Sequence, residues 1–314
     1  MTAPVYGVIG LGAIGGLYGS RLLTAGREVR FLVHRDAAAI RRDGLHVTSP
    51  WGDYHQAKPL VYDDPSAMGR CDRIIVALKT TTNAVLRELL PPLCHANTTI
   101  AMFQNGLGVE ADAQAVPQAQ ILGGLCFVCA HKRAPGVIEH LDFGQVLLAA
   151  QAGQAEAAHL QDWADDLSAG GVPVSLARDI AAARWAKLCW NIPYNGTSVV
   201  HHCDTRRLMD EPALRSEVET LMAEVAAAAA ACGTPLPAGH VQEMLDRTDR
   251  MVPYLPSMLL DFEAGRPLEV EAIYSRPIAA AQAAGVAVPA MRRIEQALLR
   301  LSADAAPGAE SARR

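Results

Sequence analysis

The sequence has no excess of basic residues and few aromatic ones. Its 28 Lys and Arg residues are outnumbered by 33 Asp and Glu residues, the net charge is −5, and aromatic residues make up only 5% of the chain. Nucleic-acid-binding proteins usually carry a basic face, and those that bind single strands stack bases on aromatic rings. The composition therefore argues against nucleic-acid binding.

Long apolar runs and a regular cysteine pattern are also lacking. No run approaches the ~18 residues that a membrane-spanning helix requires, and the first residues carry no basic segment of the secretory type. The seven cysteines are an odd number without the spacing of a disulfide framework. We expect a soluble, cytoplasmic protein with reduced cysteines and no association with membranes.

The apolar content is sufficient for two domains. Half of the 314 residues are hydrophobic, and domains usually span roughly 100–200 residues. Strand-like and helix-like segments alternate up to residue 178, whereas the remainder is alanine-rich and helical in pattern. We predict an α/β fold with a Rossmann-type doubly wound sheet over 1–178 and an all-helical C-terminal domain over 179–314. Its small, polar tail from residue 303 is expected to be disordered.

Apolar runs bounded by turn residues give the predicted strands, and helix-favouring stretches between breakers give the predicted helices. The predicted strands are 4–10, 28–33, 73–78, 98–103, 120–122, 125–129, 136–140 and 144–148. The predicted helices are a segment from the first glycine-rich turn to Ala25, then 82–90 (ended by Pro91 and Pro92), 180–190, 212–231, 239–251, 266–284 and 290–302.

The first strand leads into a glycine-rich turn, and a helix and a second strand follow. The turn consists of Gly10, Leu11, Gly12, Ala13, Ile14 and Gly15. Gly10 permits the tight turn, Gly12 lets the backbone approach a pyrophosphate, and Gly15 lets helix and strand pack closely. A glycine-rich turn without a ligand is the alternative, but the strand–turn–helix context predicts dinucleotide binding by this segment.

The end of the second strand bears on which dinucleotide is bound. An NAD site carries an acidic residue there, which accepts a hydrogen bond from the ribose 2′-hydroxyl. This chain has His34 and Arg35, followed by Asp36. The two basic side chains suit a 2′-phosphate, whereas an Asp36 that served as the acid would suit NAD. The charge pattern favours NADPH.

A polar set opens the helical part of the chain. Lys187, Asn191 and Asn195 are spaced four residues apart, which predicts that they share one helix face. On a largely buried helix such groups must find partners, and a polar substrate in a cleft would provide them. Two amides satisfied within the core beside a solvated lysine are the alternative. Pro193 is expected to bend the helix.

Two other clusters invite a metal or redox interpretation. Cys126 and Cys129 form a C-x-x-C pair with His131 nearby, and His201, His202 and Cys203 are consecutive. Neither cluster has a second ligand pair at zinc spacing, and the C-x-x-C segment has the pattern of a buried strand. We predict that the protein holds no metal.

The motifs together resemble those of the ketopantoate reductase (2-dehydropantoate 2-reductase) family. The resemblance extends from the glycine-rich turn to Pro289 and rests on four blocks in order. These are Gly10-x-Gly12-Ala-Ile-Gly15; Gln104-Asn105-Gly106-x-Gly108; Lys187-x-x-x-Asn191-x-x-x-Asn195; and Ser257-Met258 with Glu269 twelve residues after Ser257. The first block is shared by many dehydrogenases, whereas the last two are more particular to this family.

The resemblance implies an NADPH-dependent reduction of ketopantoate to (R)-pantoate on the route to pantothenate and coenzyme A. It implies that Lys187 protonates the ketone oxygen, which is chemically reasonable for a positioned ammonium. It further implies that Asn191 and Asn195 hold the substrate and that Ser257 binds its carboxylate end. Glu269 would be an acidic residue of the cleft, with a catalytic and a cofactor-binding role.

The resemblance also implies contacts on the cofactor side. Asn105 would touch both cofactor and substrate, Lys79 would be a cofactor-side lysine, and the backbone of Cys129 would lie near the nicotinamide. The family commonly has arginine at position 34, where this chain has histidine, and neutral histidine brings no fixed charge.

Alternative functions remain open from the sequence. One is a reductase or dehydrogenase of another 2-keto or 2-hydroxy acid within the same family, and another is a protein that senses NADPH without turnover. A proton donor such as Lys187 has no use in a sensor. The helical block is compatible with a homodimer, although no pattern requires one.

Overall fold

The computed structural model describes residues 3–116, 119–150 and 157–304, and nothing of the side chains of residues 157 and 158. The predicted disordered tail lies outside these ranges from residue 305 onward. The described residues form two compact units, one within Met1–Gln104 and Val109–Ile180 and one within Asn105–Gly108 and Ala181–Arg314. The short segment Asn105–Gly108 thus groups with the helical unit and not with the sheet around it in sequence.

The first unit contains one mixed sheet. Its strands within the described residues are β1 (Val5–Ile9), β2 (Glu28–Leu32), β3 (Leu45–Thr48), β4 (Tyr54–Gln56), β5 (Leu60–Tyr62), β6 (Arg73–Val76), β7 (Thr99–Met102), β8 (Gln120–Ala134), β9 (Val137–Ala150) and β10 (Val174–Ala177). Its helices are α1 (Ala13–Thr24), α2 (Ala37–Asp43), α3 (Pro65–Met68), α4 (Leu86–Leu93) and α5 (Ala157–Ala169), with 3-10 turns at Thr80–Val85 and Val109–Ala113.

The predicted Rossmann-type sheet is confirmed. The strands β5, β2, β1, β6, β7 and β8 lie side by side in that order, and each is parallel to its neighbour. Strands of a parallel sheet are covered on both faces, so they form nearly continuous apolar runs. All four residues of β7 are buried, as this arrangement requires. From β1 the chain adds β2 and β5 on one side and then β6, β7 and β8 on the other side. Open α/β sheets bind their ligands at the point where the strand order switches sides in this way.

The far edge of the sheet differs from the prediction. Four short strands were expected between 120 and 148, but β8 and β9 form one long antiparallel hairpin with three register shifts. Gly123 and Gly124 lie inside the hairpin and do not end a strand. Because they have no side chains, the side chain of Ile180 packs against Gly123 and the ring of Phe103 packs against Gly124. Beyond β9, the strands β3 and β10 pair with it in parallel, and β4 pairs with β3.

The prediction that Pro91 and Pro92 end a helix is also wrong. Helix α4 runs to Leu93 with both prolines inside its last turn. Leu86, Leu90 and Leu93 are fully buried at helical spacing, so packing of this apolar face holds the last turn in place although the prolines donate no backbone hydrogen bond.

The second unit is helical. Its helices within the described residues are α6 (Ile180–Asn191), α7 (Thr197–His201), α8 (Thr205–Asp210), α9 (Pro212–Ala231), α10 (His240–Arg250), α11 (Ser257–Glu263), α12 (Arg276–Ala283) and α13 (Pro289–Asp304). Two π-helical turns, Ile192–Gly196 and Glu271–Ser275, lead into α7 and α12. Among the helices of the described residues, none combines the length and the apolar character of a membrane-spanning segment.

Helix α9 lies at the centre of the second unit's core and has the predicted bounds. Its buried residues recur at helical spacing and are Val218, Leu221, Met222, Val225, Ala228 and Ala229. The spacing makes one continuous apolar face. Glu224 on this helix accepts hydrogen bonds from the backbone N–H groups of Ala290 and Met291, and so satisfies free donors at the start of α13.

Candidate active site

The glycine-rich turn has the geometry that a dinucleotide requires. Gly10 has φ +95°, and a Cβ at Gly15 would stand 2.0 Å from the carbonyl oxygen of Gly10. A side chain at either position would therefore disrupt the packing of α1 on β1. At Gly12, by contrast, no described atom lies within 4 Å of the place where a Cβ would stand. The backbone of Gly12, at the N-terminus of α1, is therefore accessible to a ligand. In dinucleotide-binding proteins this is the place that holds the pyrophosphate.

The loop after β6 packs against this turn. A Cβ at Gly10 would lie 2.8 Å from the Leu78 side chain and 3.3 Å from the backbone of Ala77. The exposed Lys79 follows these two residues directly. Since β1 and β6 are adjacent parallel strands, their carboxyl ends bring the glycine-rich turn and the Lys79 loop to the same edge of the sheet.

A buried amide pair holds the loop after β6 in place. The Gln104 side-chain amide donates to the Leu78 carbonyl oxygen at 2.8 Å and to the Asn83 Oδ1 at 2.6 Å. Asn83 donates in return to the Gln104 Oε1 at 3.0 Å and to Asp112 at 2.7 Å. The sequence offered one signal for Gln104, its place directly before Asn105 in the second motif, but gave it no role.

The end of β2 carries the residues expected to discriminate between dinucleotides. His34 and Arg35 are exposed. Asp36, the acidic alternative, forms an ion pair with Lys132, a residue near the end of β8 that sequence reasoning missed. Because the partners are 96 residues apart, no local pattern announces this contact.

The segment Asn105–Gly108 is fixed to the second π-helical turn. The backbone N–H of Leu107 donates to the Ala272 carbonyl oxygen at 2.9 Å. Gly106 has φ +102°, and a Cβ on it would stand 2.5 Å from the Ala272 Cβ. Arg276 donates to the Gly108 carbonyl oxygen at 3.3 Å. The glycines of the second motif thus permit a close backbone contact that determines the position of Asn105.

The predicted polar stripe is interrupted. Lys187 and Asn191 lie on α6, but Asn195 lies on the π-helical turn Ile192–Gly196, so the prediction of one continuous α-helical face is wrong at Asn195. Pro193 has no N–H to donate, and the chain accommodates it in the wider π-helical turn and not by ending the helix. Such turns are frequent at functional sites.

The two π-helical turns are joined by a tyrosine. The hydroxyl of Tyr274 in the second turn donates a hydrogen bond to the carbonyl oxygen of Ile192 in the first turn, with an O–O distance of 2.5 Å. A Cβ at Gly196 would stand 1.8 Å from this hydroxyl, so only glycine fits there. Burial raises the pKa of Tyr274, which keeps the hydroxyl protonated as a donor. Sequence reasoning missed this residue.

The three predicted substrate-side amides are not hydrogen-bonded to one another or to their neighbours in the part of the chain that the structure describes. Among the described residues, the side chains of Asn105, Asn191 and Asn195 make no hydrogen bond to the protein. Asn191 is 6% exposed and Asn195 is 3% exposed. Buried amides almost always have partners, and leaving one without a partner is costly. Among the described residues, the enclosed side-chain polar atoms without a hydrogen-bond partner belong to Arg27, Ser198 and Ser302, so the amide groups of Asn191 and Asn195 are still open to water or to a bound molecule.

The remaining predicted residues occupy different settings. Ser257 is the half-buried first residue of α11. Glu269 is buried just before the second π-helical turn, and its carbonyl oxygen accepts from the Ile273 N–H. Cys129 is buried in β8 opposite Asp142, next to a register shift. The predicted residues thus divide between the units, with the glycine-rich turn, His34, Arg35, Lys79 and Cys129 on the first and Asn105, Lys187, Asn191, Asn195, Ser257 and Glu269 on the second.

The two clusters of histidine and cysteine make contacts of other kinds. Over the part of the chain that the structure describes, no group of three or more His, Cys, Asp or Glu side chains could hold a metal ion. His201 contacts the Glu217 carboxylate at 2.7 Å, and Arg293 contacts the same carboxylate at 3.1 Å. Burial and the nearby Arg133 lower the pKa of His131.

Comparison with known proteins decides the family. A family model described as Ketopantoate reductase PanE/ApbA matches residues 6–153, and one described as Ketopantoate reductase PanE/ApbA C terminal matches residues 179–301. A 2-dehydropantoate 2-reductase of Nostoc sp. is 43% identical over 294 residues, which cover 92% of this chain and 92% of that protein. The chain belongs to the ketopantoate reductase family.

Solved structures of ketopantoate reductases have the same architecture. The 2-dehydropantoate 2-reductase from Geobacter metallireducens is 35% identical and superposes with a TM-score of 0.91, covering 94% of this chain and 99% of that one. The enzyme from Methylococcus capsulatus is 29% identical with a TM-score of 0.89, covering 97% and 98%. The protein is accordingly an oxidoreductase of the ketopantoate reductase family.

The motif residues lie within the two matched regions. The first includes the glycine-rich turn, Lys79 and Asn105, and the second includes Lys187, Ser257 and Glu269. Each matched region therefore contains residues of the predicted site.

Proposed function

We propose that this protein reduces ketopantoate to (R)-pantoate with NADPH, in the biosynthesis of pantothenate and coenzyme A. The observation that carries the proposal is the set of amides without a protein partner, Asn105, Asn191 and Asn195. Amide groups that no described protein atom satisfies suit a small substrate rich in carbonyl, hydroxyl and carboxylate oxygens. The similarity to 2-dehydropantoate 2-reductases supports ketopantoate as that substrate.

The residues of the first unit fit a nicotinamide dinucleotide. The open backbone at Gly12, the tight turn at Gly10 and the close packing at Gly15 meet the requirements of a pyrophosphate at a helix N-terminus. Exposed His34 and Arg35 at the end of β2 support NADPH over NADH, because a 2′-phosphate is bound by basic groups. Lys79 and the backbone of Cys129 are proposed as further cofactor contacts.

The chemistry of the reaction assigns a role to each residue of the second unit. When bound, NADPH supplies a hydride to the C2 carbonyl. Lys187 stabilises the negative charge that develops on the ketone oxygen and gives it a proton, so that hydride and proton together convert the ketone into an alcohol. Asn105, Asn191 and Asn195 orient the substrate.

Two further groups complete the site. The hydroxyl of Ser257 donates a hydrogen bond to the carboxylate end of the substrate. Glu269 is the acidic group of the site and contacts both substrate and cofactor.

Replacement of Lys187 tests the proposal. In Lys187→Ala, kcat with ketopantoate should fall by about 10²–10⁴-fold or more, because both the proton donor and its charge are lost. NADPH binding, followed by nicotinamide fluorescence, should persist. Lys58→Ala is the matched control, since Lys58 is an exposed lysine of the first unit, and it should leave kcat unchanged. Near-normal turnover in Lys187→Ala would overturn the assigned role.

A further inference from the structure

A lysine from the β8–β9 hairpin contacts the one acid at the end of β2. Lys132 Nζ forms an ion pair with Asp36 Oδ2. The two side chains are 33% and 26% exposed, so water screens this pair less than a fully exposed one. Asp36 directly precedes α2 and stands close to where an NAD-type site keeps its ribose-binding acid.

A second carboxylate near this edge is paired in the same way. Asp63, just after β5, pairs with Arg41 at 3.0 Å. The hydrogen bond from Arg41 and the positive charge of this guanidinium lower the pKa of Asp63. Each of these two carboxylates is therefore matched by a cation, and the exposed Arg35 adds a positive charge. With Asp36 and Asp63 paired, the positive charge of Arg35 can attract an anion to the end of β2.

We propose that Lys132 determines the cofactor preference of this enzyme. Its ammonium pairs with Asp36 and so withdraws the carboxylate that would otherwise accept a hydrogen bond from the 2′-hydroxyl of NADH. An ammonium has three N–H donors, and those not directed at Asp36 are available to the 2′-phosphate of NADPH. The inference rests on the proposed dinucleotide site but not on the identity of the keto acid.

Binding of two adenosine nucleotides tests this inference without turnover. Adenosine 2′,5′-bisphosphate carries the 2′-phosphate of NADPH, and 5′-AMP lacks it. Calorimetric titration of Lys132→Met should show affinity for the bisphosphate reduced about tenfold or more, since a hydrogen bond between charged groups is lost. Affinity for 5′-AMP should hold or rise, because Asp36 becomes free to accept a hydrogen bond from the 2′-hydroxyl of this nucleotide. Equal affinities of variant and wild type for the bisphosphate, or equal losses for both nucleotides, would overturn the proposal.

Arg133→Met is the matched control. Arg133 is the next residue, is exposed, and pairs with Glu139 of the same hairpin, so its loss removes one positive charge without touching Asp36. Both nucleotides should bind to it as to the wild type. A loss of bisphosphate affinity as large as that of Lys132→Met would reduce the effect to net charge and overturn the specific role of Lys132.

A double variant separates the two parts of the role. In Lys132→Met with Asp36→Asn, no carboxylate remains to be neutralised, and bisphosphate binding should stay weakened because the ammonium itself is missing. Full recovery would mean that Lys132 acts only by neutralising Asp36, which overturns its assignment as a phosphate ligand. Absence of ketopantoate turnover would leave all these results in force, whereas a wild type that binds neither nucleotide would overturn the dinucleotide site as well.

Discussion

The hydroxyl of Tyr274 donates a 2.5 Å hydrogen bond to the carbonyl oxygen of Ile192. This bond joins two π-helical turns, one that carries Asn195 and one whose Ala272 holds the segment of Asn105. A hydrogen bond inside the second unit thus connects two of the amides proposed to bind the substrate. The position of Gly196 under the tyrosine hydroxyl makes this close approach possible.

Removal of this hydroxyl should weaken both stability and catalysis. In Tyr274→Phe the buried carbonyl oxygen of Ile192 loses its donor, which should cost about 1–3 kcal/mol of unfolding free energy. Because Asn195 lies in the affected turn, kcat/KM for ketopantoate should fall while the affinity for NADPH stays unchanged. Urea unfolding and steady-state kinetics measure the two effects.

Tyr62→Phe is the control for this prediction. Tyr62 is a half-buried tyrosine of β5 in the first unit, and its substitution should leave both quantities near the wild-type values. Equal unfolding free energies of Tyr274→Phe and the wild type would contradict the proposed link between the turns.

The contact between Gly106 and Ala272 gives a second prediction. Gly106→Ala places a Cβ 2.5 Å from the Ala272 Cβ, so the segment of Asn105 must move and the KM for ketopantoate should rise about tenfold or more, the result of losing one hydrogen bond of a charged substrate. Gly108→Ala is the matched control, because Gly108 also has a positive φ but no described atom lies within 4 Å of its Cβ position. Gly108→Ala should cost only the backbone strain of about 1–2 kcal/mol. Similar KM values for the two variants would contradict the account.

The amide pair of Gln104 and Asn83 gives a third prediction, concerning the cofactor. In Gln104→Leu the carbonyl oxygen of Leu78 loses its hydrogen bond, and the loop that carries Lys79 is no longer held against the glycine-rich turn. NADPH affinity, measured by fluorescence titration, should fall. Gln114→Leu alters an exposed glutamine and should not change it. An unchanged NADPH affinity in Gln104→Leu would show that the pair does not position this loop.

The cysteines give a fourth prediction. Among the seven thiols, six are buried and Cys232 is partly exposed, and burial raises the pKa of Cys189 and Cys94 to about 12. Since the thiolate is the reactive form, a thiol reagent at neutral pH should modify Cys232 first in the native protein and all seven after unfolding. Cys232→Ser should remove the early phase. Rapid modification of Cys126 or Cys129 would contradict their structural role.

The strongest local patterns in the sequence predict the fold well. The glycine-rich turn between a strand and a helix predicts the Rossmann-type sheet, and the bounds of α9 follow from Pro212 at its start and the breakers after Ala231. Both rest on interactions between near neighbours in the chain. The three-residue strands β4 and β5 leave too short a pattern to be recognised.

Other features depend on distant contacts and could not be predicted. The continuity of the β8–β9 hairpin depends on pairing along its whole length, which overrides the turn signals inside it. The hydrogen bond that joins the two π-helical turns comes from Tyr274, 82 residues away from Ile192. The residue types of the candidate site were available from the motifs, but the absence of protein partners for its amides within the described residues is visible only in the structure.

Consumption of NADPH by the purified protein with ketopantoate tests the central claim most directly. The assay follows absorbance under steady state, with NADH and several other 2-keto acids run in parallel. We predict turnover with ketopantoate and NADPH, with kcat/KM well above that for NADH or for the other acids. Turnover restricted to other 2-keto acids would preserve the chemistry and overturn the substrate. No turnover with any of them, despite NADPH binding, would contradict the account and favour a protein that senses NADPH.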